Sequence, residues 1–295
     1  MEPNLVKADA TIRREEVATF RQRAYRHLGH YKRNRLGVDE NGVWLKTGQV
    51  YAHILPQNLR RLNILEGIRA EFFAYRHPKP VKLHTDFHHL NSSQALCFNL
   101  FFPFCCTPDA DPAPLLRLLG VEADGFSNPE FEAKSAHREG TTFDFAADLV
   151  GGGRLLVEVK FTEGEFGGTK DDEAHVRKRE KTYMPLLEDK VRPEALRPKV
   201  FFANYQILRN VAHVNLAAGH SLRLLVPKEN EGLRSGLQFI EDYALPDVKP
   251  LVKVAYLEDV LQRLHAQKAA FPPHLATHVG MLVEKYAVPG TDPEN

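Results

Sequence analysis

The sequence predicts an α/β domain with a mixed central sheet and an added, basic helical region at the N-terminus. Three observations support this. Apolar residues recur at helical spacing in the first quarter of the chain, the period changes to that of strands from residue 130, and helical and strand patterns alternate afterwards. A helix, three strands, helices and a further strand, in that order, are typical of one sheet covered by helices.

The helical patterns of the first hundred residues each have one apolar face. Two runs show it: Val17, Phe20, Ala24 and Leu28, and, after Pro56, Leu62, Leu65, Ile68 and Phe72. Further on, Asn91-Ser92-Ser93 supplies side chains that can cap a helix. We expect that helix to run to about Phe102.

Strand patterns begin at residue 130. We expect strands over residues 130–136, 142–150 and 154–162, the last two joined by the hairpin turn Gly151-Gly152-Gly153. After them, the pattern predicts helices over 172–188, 200–216 and 233–243, strands over 221–227 and 251–255, and two more helices at the end.

Composition excludes several classes of protein. With 43% hydrophobic and 26% charged residues, the chain is neither disordered nor fibrous. Its longest apolar stretch is interrupted by Asn99 and Pro103, so no transmembrane helix is expected. Charges break every apolar run in the first twenty positions, which argues against a signal peptide. Three crowded cysteines, Cys97, Cys105 and Cys106, predict no disulfide framework, and a cytoplasmic protein is the expectation.

Basic residues are concentrated near the N-terminus, although the net charge is only +1. Residues 1–79 hold fifteen Lys and Arg against eight Asp and Glu. Residues 21–35 contain six bases and no acid, interleaved with rings: Arg21, Arg23, Arg26, Lys32, Arg33 and Arg35, with Tyr25, His27, His30 and Tyr31. Cations neutralise phosphates and flat rings stack on bases, so this stretch predicts nucleic-acid contact. A solvated helix face explains the same charges equally well.

Charged residues interrupt two of the predicted strands. Asp144 lies in the first strand of the glycine hairpin, and Glu158 and Lys160 lie two positions apart in the second, all among apolar neighbours. Because side chains alternate along a strand, Glu158 and Lys160 share a face. Charged groups are rarely buried without a partner, so something must compensate them there.

The length of the hairpin loop decides whether Asp144 joins them. If the three glycines alone form the loop, Val150 faces Arg154 and Asp144 faces Lys160. Ala146 then lies opposite Glu158, and all three charged side chains share one face. A four-residue loop would send Asp144 to the opposite face.

Two carboxylates and an ammonium on one face suit phosphodiester hydrolysis. Asp144 and Glu158, with the carbonyl of Val159 as a further ligand, present the hard oxygen atoms that Mg²⁺ prefers. Such a cation activates water and neutralises charge on the phosphate, while Lys160 orients the water or stabilises the transition state. The plainer alternative is a surface hairpin on which Glu158 and Lys160 simply pair.

The order Asp144, thirteen residues, Glu158-Val159-Lys160 resembles the PD-(D/E)xK signature of restriction-endonuclease-like nucleases, with Phe143 in place of the proline. Residues about 92–227 resemble the helix, three-strand, helix, strand core of that superfamily. Three stretches are similar to a bacterial subgroup of it: SSQALCFNLF from Ser92, EVKFTE from Glu158 and NYQILRN from Asn204. These stretches are far more specific than the acid, acid, lysine pattern alone.

The resemblance implies a magnesium-dependent endonuclease, with Mn²⁺ able to replace Mg²⁺, that acts on double-stranded DNA. One catalytic centre per chain and two strands to cut favour a homodimer. With the resemblance we expect three parts: a basic, mainly helical extension over 1–88, the nuclease core over 89–230, and a C-terminal α/β extension over 231–295.

One departure concerns the first core helix, where many members of the superfamily carry a glutamate that assists the metal. The stretch 92–104 has no acid, so its polar residues Gln94 and Asn99 are the candidates there for catalysis and substrate binding. Glu71, Glu132 or Glu139 is expected to supply the missing carboxylate, and the sequence does not choose among them.

Three more residues complete the predicted site. Asp148 has the strand parity of Asp144 and is a second candidate for its role, nearer the turn. Gln206 and Arg209 lie three apart on the predicted later helix. We expect Gln206 to act in catalysis and Arg209 to contact the substrate, because amide and guanidinium groups suit phosphate and the resemblance extends here. Bracing of the helix is the structural alternative.

Three other functions compete with the nuclease. His84, His88, His89, Cys97, Cys105 and Cys106 lie within 23 residues and suggest structural zinc, but the sequence has no C-x2-C pair. A fold that binds nucleic acid without cutting it is the second alternative, and the intact Asp144, Glu158 and Lys160 argue against it. A thiol-dependent hydrolase is the weakest, since it needs an exposed cysteine beside a histidine.

Overall fold

A five-stranded sheet lies at the centre of the computed structural model, which describes residues 18–77, 81–107, 109–135 and 139–290. Predictions about residues 1–17, including Val17, about Ala136 and about residues 291–295 fall outside these ranges. The strands are β1 (Gly42–Val43), β2 (Val50–Tyr51), β3 (Phe126–Lys134), β4 (Thr142–Leu149), β5 (Arg154–Val159), β6 (Ser221–Val226) and β7 (Val252–Tyr256).

Helices surround the sheet. They are α1 (Phe20–Leu36), α2 (Glu66–Arg76), α3 (Ser93–Cys105), α4 (Ala113–Leu118), α5 (Glu173–Lys178), α6 (Met184–Leu187), α7 (Pro198–Ala203), α8 (Tyr205–Val211), α9 (Arg234–Tyr243), α10 (Leu257–Gln267) and α11 (Pro273–Tyr286). A π-helical turn, Arg179–Tyr183, joins α5 to α6. None of the helices in the described ranges is both long and apolar enough to cross a membrane.

The sheet is mixed, as the sequence predicts. Its strand order is β3-β4-β5-β6-β7. The pairs β3/β4 and β4/β5 are antiparallel, whereas β5/β6 and β6/β7 are parallel. Parallel neighbours need long crossover connections, and the segments holding α5 to α8 and α9 provide them. β1 and β2 form a separate small hairpin.

The register of the glycine hairpin differs from the prediction by two residues. Asp148, not Val150, faces Arg154. The cause lies in the turn: the Leu149 N–H donates to the Gly153 carbonyl at 3.0 Å, and the Val150 N–H turns away to the Gly125 carbonyl at 2.9 Å. The loop is therefore longer than the three glycines.

An even shift preserves the face of each side chain. Phe145 faces Val157, so continuing the register puts Asp144 opposite Glu158 rather than Lys160. The predicted partners are wrong, but the even spacing of the three charged residues is unaffected. All three glycines of the turn have positive φ, between 86° and 109°. An L side chain would be strained at each of these positions.

Two separate apolar cores cover the two faces of the sheet. On one face, Phe145 and Val157 pack with the residues of α3, and Phe101 stacks on Phe145 with ring centroids 4.5 Å apart. On the other face, Leu156 and Leu224 belong to the core that contains the apolar residues of α7 and α8. Each large apolar side chain buried in this way contributes about 1.5–3 kcal/mol.

The predicted helix over residues 200–216 is two short helices, α7 and α8. The chain leaves α7 at Asn204, whose side-chain amide donates to the Val200 carbonyl at 3.0 Å. Gln206 then directs its backbone N–H to the Gly167 carbonyl at 3.0 Å. Asparagine side chains compete in this way with helical hydrogen bonds. The break sets the direction of α8, and with it the direction of Gln206.

Two features had no sequence signal. Strands β1 and β2 are two residues long each, which is too short for alternation to be read. Helix α4 has six residues, fewer than two turns.

Strand β3 begins at Phe126, four residues before the predicted start. A register shift between Ser127 and Glu130 interrupts its alternation, so the first residues of the strand show no pattern.

The N-terminal and C-terminal helices pack together rather than on opposite sides. α11 contacts α1, α2 and α3. We propose that the described helices of the parts 1–88 and 231–295, namely α1, α2 and α11, form one layer over the core 89–230. The last part also adds β7 to the edge of the sheet.

Candidate active site

Glu158 and Lys160 form a buried ion pair at the carboxyl end of β5. The Lys160 Nζ lies 3.0 Å from the Glu158 Oε1. The two residues are only 4% and 8% exposed. The pair is therefore not the surface contact of the plainer alternative, because both charges have been taken out of water.

Helix α8 completes this pair with two amides. The Gln206 Nε2 donates to the Glu158 Oε1 at 2.7 Å, and the Lys160 Nζ donates to the Gln206 Oε1 at 3.2 Å. The Asn210 Nδ2 donates to the Glu158 Oε2 at 3.1 Å. Both carboxylate oxygens of Glu158 are thus fixed by α8. Gln206 and Asn210, one helical turn apart, form the pair that faces the strand.

Asp144 approaches from β4. Its Oδ2 accepts a hydrogen bond from the backbone N–H of Val159 at 2.7 Å, so the side chain reaches the residue between Glu158 and Lys160. Asp144 is half-buried and lines an open cleft. It is the most exposed member of the predicted trio.

Electrostatics couple the three charged groups. Burial and the charge of Glu158 raise the pKa of Asp144 well above its usual range, against the opposing effects of Lys160 and the Val159 N–H. Burial alone would lower the pKa of Lys160, but the carboxylates of Glu158, Glu163 and Asp144 raise it. The site therefore holds excess negative charge around one ammonium, which suits an added cation.

Glu132 is the candidate carboxylate that the structure brings to this site. It lies on β3 opposite Asp144, between the registered pairs Phe131–Phe145 and Ala133–Phe143. Burial and the charge of Glu158 raise its pKa, while a hydrogen bond from Gln94 lowers it.

The backbone at Glu132 is in the left-handed region, with φ of 54°. Its neighbours Phe131 and Ala133 pack in the two different cores, and so do their partners Phe145 and Phe143. In a regular strand, residues two positions apart lie on the same face. Phe131 and Ala133 would then share a face, and so would Phe143 and Phe145. The two strands thus exchange faces at the Glu132–Asp144 position. Left-handed non-glycine residues cost about 1–3 kcal/mol and cluster at functional sites.

The left-handed backbone at Glu132 predicts an unusual result: glycine should give a more stable protein than alanine at this position. Glu132→Gly and Glu132→Ala both remove the carboxylate, but only glycine adopts this φ without strain. We expect the glycine variant to be more stable by about 1 kcal/mol, although glycine normally weakens a strand. Urea unfolding of the two variants measures the difference. A more stable alanine variant would contradict the left-handed backbone.

Gln94 also joins the site. Its Nε2 donates to the Glu132 Oε1 at 2.7 Å and to the Lys82 carbonyl at 3.0 Å, and its Oε1 accepts from the His84 N–H at 2.9 Å. Ser92 caps α3 by accepting from the Ala95 N–H, which places Gln94 in the first turn. Gln94 therefore orients Glu132 from the helix that lacks an acid.

The other candidate carboxylates lie elsewhere. Glu71 is exposed on α2. Glu139 accepts hydrogen bonds from Ser135 and from the Thr141 N–H, and it pairs with His213 at 2.9 Å. Burial raises its pKa, but these hydrogen bonds outweigh that effect and lower it to about 2. Both residues therefore lack the contacts that link Glu132 to the trio.

Asp148 stays at the turn, as its position suggested. It pairs with Arg154 and accepts from the Asn128 Nδ2 at 3.0 Å. These contacts give it a structural role, since they join β3, β4 and β5 where the hairpin closes.

Asn99 does not reach a substrate, so that prediction is wrong. Its side chain is fully buried. The Oδ1 accepts from the Leu65 N–H at 2.8 Å, and the Nδ2 donates to the Asn63 carbonyl at 2.9 Å and to the Tyr286 hydroxyl at 2.8 Å. α3 is apolar all round and buried, so its polar residue joins helices instead.

Arg209 braces the connection between β3 and β4. Its Nε donates to the Thr141 Oγ1 at 3.1 Å, and its Nη2 donates to the Gly140 carbonyl at 2.7 Å. The guanidinium also lies over the Tyr205 ring at 5.2 Å. These contacts match the structural alternative, and a substrate contact by Arg209 stays a prediction.

The basic residues of α1 do not form one surface. Arg21 lines the cleft and donates from its Nε to the Thr162 carbonyl at 2.9 Å. Lys32 is fully buried, and its Nζ donates to the Glu40 carbonyl at 2.6 Å and the Asn41 Oδ1 at 2.8 Å. The prediction that Lys32 binds phosphate is therefore wrong.

The remaining four bases differ in their surroundings. Arg23 pairs with Glu229, and its guanidinium also donates to the Pro289 carbonyl at 3.1 Å. Arg35 pairs with Glu284 at 2.7 Å on the surface. Two of these four are exposed without an acidic partner among the described ion pairs: Arg26 and Arg33. A role for these four in binding phosphate stays a prediction.

A cleft of about 530 Å³ gives access to Asp144. It is lined by residues of α1, the β1–β2 hairpin, the start of α3, and the segment after β5: among them Arg21, Trp44, Gln94, Glu132, Asp144 and Glu163. Glu158 and Lys160 have little exposed surface. Of the predicted trio, Asp144 is the member that lines the cleft.

Sequence reasoning missed several residues of this site. Asn210 and Glu163 lie inside the quoted stretches NYQILRN and EVKFTE but were not singled out. Glu163 accepts from the Phe161 N–H at 2.6 Å and acts on Lys160 by its charge. The four-residue spacing of Gln206 and Asn210 is the signal that points to Asn210.

The residues present fit a hard divalent cation better than zinc. Among the described residues, no three His, Cys, Asp or Glu side chains are grouped closely enough to hold a metal ion. Mg²⁺ commonly takes only one or two carboxylates and keeps several waters, so this finding is compatible with a site at Asp144 and Glu158. Burial is the largest cause of the raised pKa of both Asp144 and Glu132, and the negative charge of Glu158 raises both further.

The rival zinc residues are used elsewhere. Cys97 is buried, with its Sγ 3.5 Å from the Asp144 carbonyl, and the His88 Nε2 lies 3.0 Å from the Val43 carbonyl. The Sγ atoms of Cys105 and Cys106 are 3.3 Å apart. Burial, together with nearby carboxylates, raises the pKa of Cys97 well above its usual range, which also disfavours a thiolate nucleophile.

The mixed sheet, with acids and a lysine on its antiparallel strands and helices on both faces, defines a protein of the restriction-endonuclease-like class. A family model described as Restriction Endonuclease associating with ARP (REase-ARP) matches residues 25–287. The chain belongs to this family, which confirms the predicted class and fold and indicates a nuclease with a nucleic-acid substrate. No match was found among curated proteins or solved structures.

Proposed function

We propose that the protein is a Mg²⁺-dependent endonuclease that hydrolyses phosphodiester bonds in DNA, with Asp144, Glu158 and Lys160 as its catalytic centre. The observation that carries this proposal is the half-buried Asp144 in an open cleft, bonded to the strand that holds the buried Glu158–Lys160 pair. Two acids and an ammonium at a cleft are the groups that phosphodiester hydrolysis needs.

Asp144 and Glu158, with the Val159 carbonyl, would hold the cation, either Mg²⁺ or Mn²⁺. Activation of water and neutralisation of charge on the phosphate are the chemistry that such a cation supplies when bound. The excess of carboxylates over ammonium groups at this point supports it. Glu132, held by Gln94 at 2.7 Å, adds a third negative charge that acts on Asp144 through its field.

Lys160 keeps its proton because the neighbouring carboxylates raise its pKa. An ammonium in this position donates hydrogen bonds to the attacking water or to a non-bridging phosphate oxygen. Gln206 contacts both Lys160 and Glu158, so it holds the ammonium in place. We assign Gln206 a positioning role.

The first turn of α3 favours an anion in the cleft. Ser92 and Ser93 line it, and the unpaired N–H groups of a helix start carry partial positive charge. Arg21 adds a full charge at the rim. These groups support a phosphate seated beside Asp144.

Duplex DNA is the substrate we propose, in line with the family. Cutting both strands with one centre per chain favours two chains acting together, and a homodimer acting in the cytoplasm is the arrangement we propose. Sedimentation of the protein with and without duplex measures its mass directly, and a monomer in both states would contradict the dimer.

Cleavage of supercoiled plasmid tests the proposed chemistry. We expect nicked and linear products with Mg²⁺, none with EDTA, and a loss of about 10³-fold for Asp144→Ala. Asp148→Ala is the matched control, because it removes the same group from the same strand at the turn, and it should cut at the wild-type rate.

Equal cutting by the Asp144→Ala and wild-type proteins would refute the site. Binding of plasmid without any cutting, at all metal ions tried, would favour the alternative of a non-cleaving module on the same fold.

A further inference from the structure

A cluster of aromatic and imidazole rings borders the proposed catalytic cleft. The rings of Tyr25 and His53 are stacked, with centroids 3.8 Å apart and an interplanar angle of 14°. Trp44, from the β1–β2 hairpin, meets Tyr51 at 6.3 Å and His89 at 6.2 Å, edge to face. These five rings line a cavity of about 150 Å³. We call this cavity the ring pocket.

The ring pocket adjoins the cleft. Tyr25, Trp44, Asp86, His89 and Asn91 line both cavities. The Asn91 Nδ2 donates to the Thr162 Oγ1 at 2.7 Å, two residues beyond Lys160. A ligand in the ring pocket would therefore extend without a break into the part of the cleft lined by Asp144.

Three polar atoms around the ring pocket lack partners. The Trp44 Nε1, the His89 Nε2 and the Asn91 Oδ1 are all buried without a hydrogen bond to any described residue. The closest acid to the His89 Nε2, Asp86, is 3.7 Å away, beyond hydrogen-bonding distance. Buried polar groups are nearly always hydrogen-bonded, so residues that line this cavity carry hydrogen-bonding capacity that no described residue uses.

The ligand that fits is flat and uncharged. Burial lowers the pKa of His53 to about 3 and that of His89 to about 4, so both rings are neutral at neutral pH. The described residues that line the ring pocket include no Lys or Arg to pair with a phosphate. The Trp44 N–H is a donor, the Asn91 Oδ1 is an acceptor, and every nucleobase edge carries groups of both kinds.

We infer that the ring pocket receives one base of the nucleic acid, unstacked from its neighbours, while the adjoining phosphate lies at Asp144. The inference rests on the proposed nuclease function and adds the form of the substrate: a strand with an unpaired or extruded base beside the cleavage point. Enzymes that take a base out of the stack hold it in such a way, between rings and hydrogen-bonding groups.

Trp44 is the sole tryptophan of the sequence, so its fluorescence reports on this pocket alone. The Asp144→Ala protein, without metal, is titrated with a single-stranded 12-mer DNA and with an abasic strand of the same length. Both strands keep the phosphates, but only the first can stack on Trp44. We expect strong quenching by the DNA and little by the abasic strand. Equal effects of the two strands, including no effect of either, overturn the inference.

Binding of labelled strands supplies the second measurement. Trp44→Ala should weaken binding of the 12-mer about ten-fold, as expected for the loss of one stacked base, and leave the abasic strand unaffected. Leu45→Ala is the matched control, since Leu45 is a neighbouring residue of the same hairpin and is 53% exposed. Melting temperatures of both variants check that they fold.

Duplexes distinguish an extruded base from ordinary groove binding. The Asp144→Ala protein should bind a duplex with one unpaired nucleotide more tightly than the fully paired duplex, and Trp44→Ala should remove that difference. Equal affinity for both duplexes would overturn the inference. Because these assays need no cutting, their outcome is independent of whether plasmid is cleaved.

Discussion

Replacing Asp144 with asparagine is expected to abolish DNA cleavage and, at the same time, to stabilise the metal-free protein. The proposed cation loses a charged ligand, so cleavage should fall by about 10³-fold. The variant lacks a half-buried carboxylate whose charged form burial and Glu158 disfavour, and we expect a gain of about 1–2 kcal/mol. The asparagine Oδ1 can still accept from the Val159 N–H.

The expected gain in stability of the asparagine variant increases with pH. In the folded state the pKa of Asp144 lies above that of the unfolded chain, so the folded protein holds its proton longer. The wild type therefore loses stability as pH rises from the unfolded value up to the folded pKa, and the asparagine variant does not. The difference between them should be small near pH 3.8 and complete above the folded pKa.

Thermal melts of both proteins in EDTA, across this pH range, measure the effect. The expected gain corresponds to about 2–4 °C per kcal/mol for a domain of roughly this size. A lower melting temperature for Asp144→Asn at neutral pH would show that the wild-type carboxylate is compensated and would weaken the case for a cation site.

Replacing Asn99 with alanine is expected to have the opposite pattern, a large loss of stability with the catalytic centre intact. The change leaves the Leu65 N–H without its acceptor and removes the donor to the Asn63 carbonyl and the Tyr286 hydroxyl. Unsatisfied buried groups cost about 1–3 kcal/mol each, so we expect a total near 3 kcal/mol.

Urea unfolding measures this loss, and plasmid cleavage at a low temperature checks the active site. Asn58→Ala is the control, because Asn58 is exposed and such changes stay within about 0.5 kcal/mol. If Asn99→Ala were as stable as the wild type but failed to cleave, the original prediction of a substrate contact would have to be revived.

Periodicity predicted most of the sheet and its helices, because the buried strands and amphipathic helices are long enough to show it. Periodicity failed where single hydrogen bonds determine the path of the chain. The hairpin register depends on the Val150 N–H bonding to Gly125, a long-range contact with no local pattern. The break between α7 and α8 depends on one side-chain bond of Asn204.

The candidate site was predicted in part. Asp144, Glu158, Lys160, Gln94 and Gln206 are brought together in the structure, since motif and parity constrain them. The choice of Glu132 among three glutamates required the backbone at its own position, where φ is 54°, and no composition or spacing encodes that angle.

The prediction for Lys32, which came from the charge pattern of α1, failed for a different reason. Charge counts assume that a basic side chain on a helix is free, yet Lys32 is buried against the β1–β2 segment and Arg23 is committed to Glu229. The Arg23–Glu229 pair joins parts of the chain that are distant in sequence, and Lys32 contacts residues of the turn that follows its own helix. Only the folded chain distinguishes such residues from free ones.

Because β3 and β4 exchange faces at Glu132 and Asp144, the reactive carboxylate of Asp144 is held in place by both apolar cores. Phe131 and Phe145 anchor it from one side, and Ala133 and Phe143 from the other. A packing defect in either half would shift the same two strands, so distant core substitutions should harm turnover before they harm overall folding. Loss of activity on gentle heating should accordingly precede loss of secondary structure.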